Sequence, residues 1–480
     1  MRNIALTFLG CFTILAACSN SDDAEKPVAP IPTGDVTIYS TTNSLTRDLT
    51  RDAVNFSLKD NLAPTSITLN PTEQYQTMDG FGVAITGATC FNLLQMKPED
   101  RHAFLTETFS DDKGFGFSYI RISIGCSDFS LSEYTCCDKK GIENFALQSE
   151  EKEYILPILK EILDINPSIK IIAAPWTCPT WMKVKSLTDL TPFESWTNGQ
   201  LNPAYYQDYA TYFVKWVQAF NAEGIDIYAV TPQNEPLNRG NSASLYMSWE
   251  EQRDFVKTAL GPKFKTAGLA TKIYAYDHNY DYSDIETEKN YPGKMYEDPA
   301  ASQYLAGAAY HNYGGNREEL LNMHKAYPEK ELLFTETSIG TWNSGRDLSK
   351  RLLEDMKEVA LGTINNWCKG VIVWNLMLDN DRAPNREGGC QTCYGAVDIS
   401  NSDYKTIIRN SHYYIIAHLS SVVKPGALRI GATGYADSNI MYSAFENPDG
   451  TYAFVLMNNN EKTKRITFSD GKRHFAYDVP

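Results

Sequence analysis

Eight apolar, β-rich runs recur through the middle of this chain, each followed by a helical stretch. That alternation limits the fold more than any other feature. The runs cover residues 78–86, 118–126, 170–176, 227–235, 272–279, 306–313, 332–337 and 370–376. Helical patterns fall between them at 98–109, 150–165, 205–223, 249–266, 317–327 and 348–367, with a last one at 406–420. In 205–223, Tyr209, Tyr212, Phe213, Trp216 and Phe220 repeat at three- and four-residue steps, which gives one apolar face. The runs are nearly continuous in apolar residues, as expected of parallel strands covered on both sides. Eight such units are the number that closes a (β/α)8 barrel. An open doubly wound sheet would bring a glycine-rich phosphate turn, and no G-x-G-x-x-G occurs.

Both flanks of the barrel segment are different in character. Residues 36–75 hold short β-type runs, and 424–480 hold more of them, so one side β-sandwich built from both chain ends is expected around a barrel of residues 76–423. Ahead of these, residues 1–17 combine Arg2 with a short apolar stretch and read as a signal peptide. That stretch ends Leu15-Ala16-Ala17-Cys18, which resembles a bacterial lipobox, so Cys18 is the expected lipidation site. Residues 18–35 are then a polar, proline-containing tether. The expected location is outside the inner membrane, lipid-anchored to the bacterial outer membrane on its periplasmic or cell-surface side. A membrane partner is expected only through that anchor. Export permits disulfides. Cys390-x-x-Cys393 reads as a small loop disulfide rather than half of a zinc site, because no second pair or spaced histidines accompany it.

Composition narrows the partners. With 44 Lys and Arg against 59 Asp and Glu, the formal charge is −15, which repels phosphate backbones and argues against nucleic acid. The 29 Tyr and 8 Trp suit sugars, whose faces are apolar and whose rims are hydroxylated, although a large barrel needs bulky rings in any case.

Barrel enzymes carry their chemistry at the C-terminal ends of the strands. Those ends read Pro175-Trp176, Gln233-Asn234-Glu235-Pro236, Asp277-His278-Asn279, His311-Asn312-Tyr313, Thr335-Glu336-Thr337 and Trp374-Asn375. Glu235 and Glu336 close the fourth and seventh runs and would meet across one barrel mouth. Two carboxylates so placed suit glycosidic bond cleavage, with Glu235 as acid/base and Glu336 as nucleophile. Asn234 is placed to bond a sugar 2-hydroxyl, and Tyr313 and Arg121 to orient Glu336. Trp176 and Trp374 are candidate stacking faces. His311 reads equally as a catalytic contact or a satisfied polar residue. Asp128 reads as a substrate contact or a loop cap, and Asp277 as a loop cap.

These motifs resemble glycoside hydrolase family 30, the glucosylceramidase and endo-β-1,6-glucanase family. The likeness rests on residues 76–82 (QTMDGFG), Arg121 with Asp128-Phe129-Ser130, residues 174–183 (APWTCPTWMK), residues 231–236 (TPQNEP), the strand-end motifs above and residues 425–430 (PGALRI). It implies a retaining mechanism on the two glutamates and a barrel with a side sandwich. It also implies a glucose subsite lined by Asp128, Trp176, Asn234, His311, Tyr313 and Trp374, with Arg121 in support. No metal and no organic cofactor is implied. The chain departs from many members at Gly87, where an Asp is common. The expected substrate is an extracellular β-glucan, with endo-β-1,6-glucanase activity. The alternatives are a glucosylceramidase or β-glucosidase, and, in a different class, a non-catalytic glycan-binding lipoprotein, which would need neither glutamate.

Overall fold

The computed structural model describes residues 32–57, 62–282 and 285–480. The expected signal peptide, Cys18 and nearly all of the tether lie outside the described residues. Eight parallel strands close a barrel: β1 (Gly80–Ala84), β2 (Tyr119–Ser123), β3 (Lys170–Ala174), β4 (Ala229–Val230), β5 (Lys272–Asn279), β6 (Leu305–His311), β7 (Glu331–Glu336) and β8 (Cys368–Val373). Each pairs with its neighbour in sequence, and β8 returns to β1 in the register Gly370↔Gly80 to Val373↔Val83. Every expected run supplies one strand.

The barrel interior is packed rather than hollow. Tyr119, Ile172, Ala229, Tyr274, Ala309, Leu333 and Ile372, one from each of seven strands, fill one buried cluster. Large and small residues alternate so that the rings fit: a methyl group on Gly370 would sit 2.9 Å from Cε1 of Tyr119. Below this layer, charged residues at the strand starts pair off. Lys170 meets Asp79 at 2.8 Å, and Lys272 and Lys369 meet Glu331 at 2.8 and 2.5 Å. This ring closes the N-terminal end and leaves the opposite end for chemistry.

Two of the long helical stretches contain a wide turn next to a proline. In the stretch from Trp249 to Thr266 it covers Val256–Leu260, just before Pro262, and in 150–165 it covers Glu151–Ile155, just before Pro157. Proline donates no backbone hydrogen bond, so the turn ahead of it relaxes. The helix expected over 406–420 begins only at Ser411. Its first residues instead form the strand Ile407–Arg409, paired with Val397–Ile399, where β-branched side chains favour extension.

The side sandwich uses the chain ends unequally. One N-terminal strand, Ser66–Thr77, lies inside a six-stranded sheet between Leu428–Gly434 and Lys464–Ser469. The two earlier runs do not join that sheet. Val36–Ser40 and Thr50–Val54 pair with each other. Just beyond them Ser57 makes an isolated backbone bridge to His474 of the large sheet, its amide donating at 2.7 Å, and the Tyr477 hydroxyl donates to Asp52 at 2.8 Å.

Leu333 is fully buried in the interior layer. Leu333→Ala should cost about 2–5 kcal/mol, read as a drop in the urea midpoint at unchanged slope. A change under about 0.5 kcal/mol would show that this layer does not hold the barrel closed.

Candidate active site

Glu336 is the last residue of β7 and His311 the last of β6. Glu235 lies five residues past β4, in a loop whose backbone turns left-handed at that residue (φ +44°). Its amide donates to the Asp277 carbonyl at 2.9 Å, and the Asn238 side chain donates to its carboxylate at 2.7 Å. Tyr276 and Asp277 are also left-handed (φ +73° and +69°), where the β5–β6 register slips. Such conformations cost roughly 1–3 kcal/mol each in residues other than glycine. Here they turn Glu235 and Asp277 toward the barrel axis.

A carboxylate oxygen of Glu235, one of Glu336 and a ring nitrogen of His311 all lie within 4.8 Å of one another. Arg121, wholly buried on β2, organises the rest. It donates to Glu336 at 2.6 Å, to the Asn234 amide oxygen at 2.7 Å and to Asp277 at 2.9 Å. Its guanidinium lies 5.0 Å from the Trp176 ring and 5.3 Å from the Trp374 ring, which stack on each other. Tyr313 donates to Glu336 at 3.0 Å. Thus Arg121, Asn234, Tyr313 and Glu336 are joined through Asp277 to His311 and Glu235 in one hydrogen-bonded group, with the two tryptophans packed against it. Both tryptophans are only 2 % exposed, so they form the floor of the site and present little open face.

Asp277 is the residue whose weight the sequence reading missed. It is not a loop cap. Its two oxygens accept from Arg121, from His311 at 3.1 Å, from Thr231 at 2.7 Å and from Thr335 at 2.6 Å. Burial alone would raise it, but the Arg121 charge and the His311 hydrogen bond hold it far below the usual carboxylate range. The available signal was its place at the end of the fifth run, beside Asn279.

His311 bridges Glu235 and Asp277, with Nδ1 3.1 Å from Glu235 and Nε2 3.1 Å from Asp277. Burial disfavours its charge, yet Glu336 and the hydrogen bonds to Asp277 and Glu235 lift it to about 9. It is therefore an imidazolium at neutral pH, donating from both nitrogens. With that proton in place, burial pushes Glu235 up, but His311 and the neighbouring His278 bring it down to about 2. Glu336 shifts the other way, raised by burial and by the charge of Glu235 against the pull of His311 and Arg121.

Asp128 follows β2 by five residues and has a carboxylate oxygen sealed from solvent without a protein partner. Burial, then the charges of Glu336 and Glu235, push it up to about 8. A neutral carboxyl with an open hydrogen-bonding position is suited to a sugar hydroxyl. The departure at Gly87 has a steric reason: a Cβ there would lie 1.9 Å from the Glu150 carboxylate, which occupies that space. Glu235, His311 and Glu336 could also converge on a metal ion, since each offers a ligand atom. However, the His311 nitrogens already face two carboxylates, and Arg121 with the imidazolium supplies the positive charge a metal would bring. Cys390 and Cys393 are joined as a disulfide.

The proton on His311 gives a testable sign. In the unfolded chain it leaves near pH 6.5, about the ordinary value. The group's stabilisation is therefore complete below that pH and lost as pH rises through about 9. Urea midpoints between pH 6 and 10 should fall more steeply for the wild type than for His311→Asn. Equal slopes would mean that the folded protein does not hold this proton. Asp277→Asn, which leaves Arg121 and His311 short of a buried counter-charge, should cost about 3–5 kcal/mol in the same titration.

Comparison with known proteins places this geometry. The model of the glycosyl hydrolase family 30 TIM-barrel domain matches residues 78–423, and that of the family's beta sandwich domain matches residues 426–480. A solved endo-beta1,6-glucanase is 87% identical, with a TM-score of 0.92, covering 93% of this chain and 97% of its own. An endo-1,6-beta-D-glucanase of Trichoderma harzianum is 32% identical over 80% of this chain and 78% of its own. The lysosomal acid glucosylceramidase of Mus musculus is 26% identical over 86% of this chain and 81% of its own. The chain belongs to glycoside hydrolase family 30 and is an O-glycosyl hydrolase built on a (β/α)8 barrel with a side β-sandwich.

Proposed function

We propose that this hydrolase is an endo-β-1,6-glucanase that cleaves with retention, using Glu336 as nucleophile and Glu235 as acid/base. The observation that carries the mechanism is the carboxylate spacing. Oxygens of the two glutamates lie within 4.8 Å. Retaining enzymes hold their carboxyls about 5–5.5 Å apart, whereas inverting enzymes need roughly 6.5–9.5 Å to admit a water. The linkage reading rests on similarity to the solved endo-beta1,6-glucanase and the fungal relative.

In the resting site the proton sits on His311, with Glu235 held low and Glu336 raised, so the roles are read from which cation each glutamate faces and not from resting acidity. Glu336 has Arg121 at 2.6 Å, whose charge is permanent. Glu235 has His311 at 3.1 Å, whose proton can move. If that proton passes from Nδ1 to Glu235, Glu235 becomes a neutral acid while Glu336 keeps its guanidinium and stays ionised. Glu336 then attacks the anomeric carbon as Glu235 protonates the departing glycosidic oxygen. A glycosyl ester forms on Glu336, and Glu235 is left as a carboxylate. Water enters, Glu235 takes its proton, and the oxygen displaces Glu336 from the anomeric carbon. Asn234, its oxygen fixed by Arg121, is left to donate to the 2-hydroxyl, a contact that strengthens in the transition state. Asp128 takes a further hydroxyl.

Oligosaccharide ladders from β-1,6-glucan, with none from β-1,3-glucan or xylan, are the expected product profile, and the first-formed anomer should be β by proton NMR. An α product would overturn the double displacement, and turnover confined to aryl β-glucosides or glucosylceramide would favour the glucosylceramidase-type alternative. Glu235→Gln should lower turnover of the polymer about 10²–10⁴-fold, and less for an aryl glucoside whose leaving group needs little protonation. Glu336→Gln should abolish both.

We also propose that the protein is exported and held at the membrane by acylated Cys18, supported by the residue pattern around that cysteine. No helix among the described residues is long and apolar enough to cross a membrane. Cys18→Ala should move the protein from the membrane fraction to the soluble one, and unchanged fractionation would reject the anchor.

A further inference from the structure

Trp342 stands six residues beyond Glu336 and is 53 % exposed. A single exposed apolar ring is ordinary on a protein surface, so what marks Trp342 is how it is seated and not its exposure. Its surroundings hold it in place. One edge of the indole lies directly on bare backbone: a Cβ added at Gly340 would sit 1.9 Å from Cζ3 of Trp342 and 2.4 Å from Cε3 and Cη2. Only glycine at 340 lets the ring lie there. Gly340 is extended, so the glycine serves this close approach and not an unusual backbone angle.

The base under the ring is fixed from two sides. Ile339–Gly340 pairs antiparallel with Cys393–Tyr394, and the Thr341 amide donates to the Thr392 carbonyl at 3.0 Å. The partner segment belongs to the loop after β8 and is closed by the Cys390–Cys393 disulfide. Cys393 is buried in the same cluster as Trp176 and Trp374, the floor beneath Arg121. On the other side, Ser338 bonds the Tyr313 hydroxyl at 3.1 Å, and that hydroxyl donates to Glu336. The platform is therefore built onto the wall of the catalytic site. Tyr313, which donates to Glu336, is itself 44 % exposed.

We propose that Trp342 is a stacking platform for a glucose unit of the polymer other than the one attached to Glu336, so that it selects a glucan chain over a short glucoside. The flat C–H face of a hexopyranose would cover the open face of the indole, and the sugar hydroxyls would remain in water. This rests on the glucanase reading above. Being on a rigid two-stranded support, the ring loses little freedom on binding.

The test compares kcat/KM on β-1,6-glucan with kcat/KM on an aryl β-glucoside. For Trp342→Ala the ratio of the two should fall about tenfold, mainly through KM on the polymer, and Trp342→Tyr should restore much of it. Gly340→Ala keeps the indole but displaces it, and should lower the ratio in the same direction. With the nucleophile removed by Glu336→Gln, β-1,6-gluco-oligosaccharides should quench tryptophan fluorescence, and less so when Trp342 is also replaced. An unchanged ratio in both Trp342→Ala and Gly340→Ala, in protein with wild-type melting behaviour, would overturn the platform. A wild-type enzyme inert on β-1,6-glucan would instead overturn the linkage, and the same ratio on whichever glucan it cleaves then decides the platform.

Discussion

A guanidinium with no exposure to water cannot remain charged without close negative partners, and Arg121 has two. Removing a charge from water costs several kcal/mol, and only well-aligned hydrogen bonds recover it. Asp277 and Glu336 supply those bonds from β5 and β7, and Asn234 adds a third acceptor from the loop after β4. Three parts of the barrel wall are thereby tied to one side chain on β2. The two tryptophans stacked beside it exclude water and strengthen every electrostatic interaction they enclose.

Asp277 and His311 extend that tie to Glu235. Asp277 is saturated by four donors, so it stays ionised and holds His311 protonated, which in turn faces Glu235. The site thus contains one permanent and one movable positive charge, placed on different glutamates. This asymmetry gives two carboxyl groups of the same residue type different surroundings, which is the basis of the nucleophile and acid roles proposed for them. The left-handed backbone at Glu235 and Asp277 is the local cost of that placement, offset by the hydrogen bonds that converge there.

The two ends of the barrel divide the work. Lysines and acids at the strand starts neutralise one another and seal the N-terminal end. At the C-terminal end the loops carry polar groups that are turned inward, and between them small antiparallel sheets stiffen the mouth, including the one that supports Trp342. Rigid support for loops of this kind lets one barrel accept different glycans in different relatives.

The barrel was legible in the sequence because strands buried on both faces leave continuous apolar runs at a regular spacing, and position in such a run fixes which end of the barrel a residue occupies. That is why Glu235, Glu336, Arg121 and Tyr313 could be named together before their distances were known. Asp277 was visible but misjudged, since one acid after a strand looks the same whether it caps a loop or anchors an arginine across the barrel. The pairing of Val36–Ser40 with Thr50–Val54 instead of with the large sheet was likewise hidden, because β-type runs do not state their partners. Nor could the sequence tell that Trp342 rests on Gly340. Residue type and periodicity determined the strands and the end of the barrel that reacts; hydrogen-bond partners, proton positions and open faces depend on contacts between residues distant in the chain, and only the folded structure decides those.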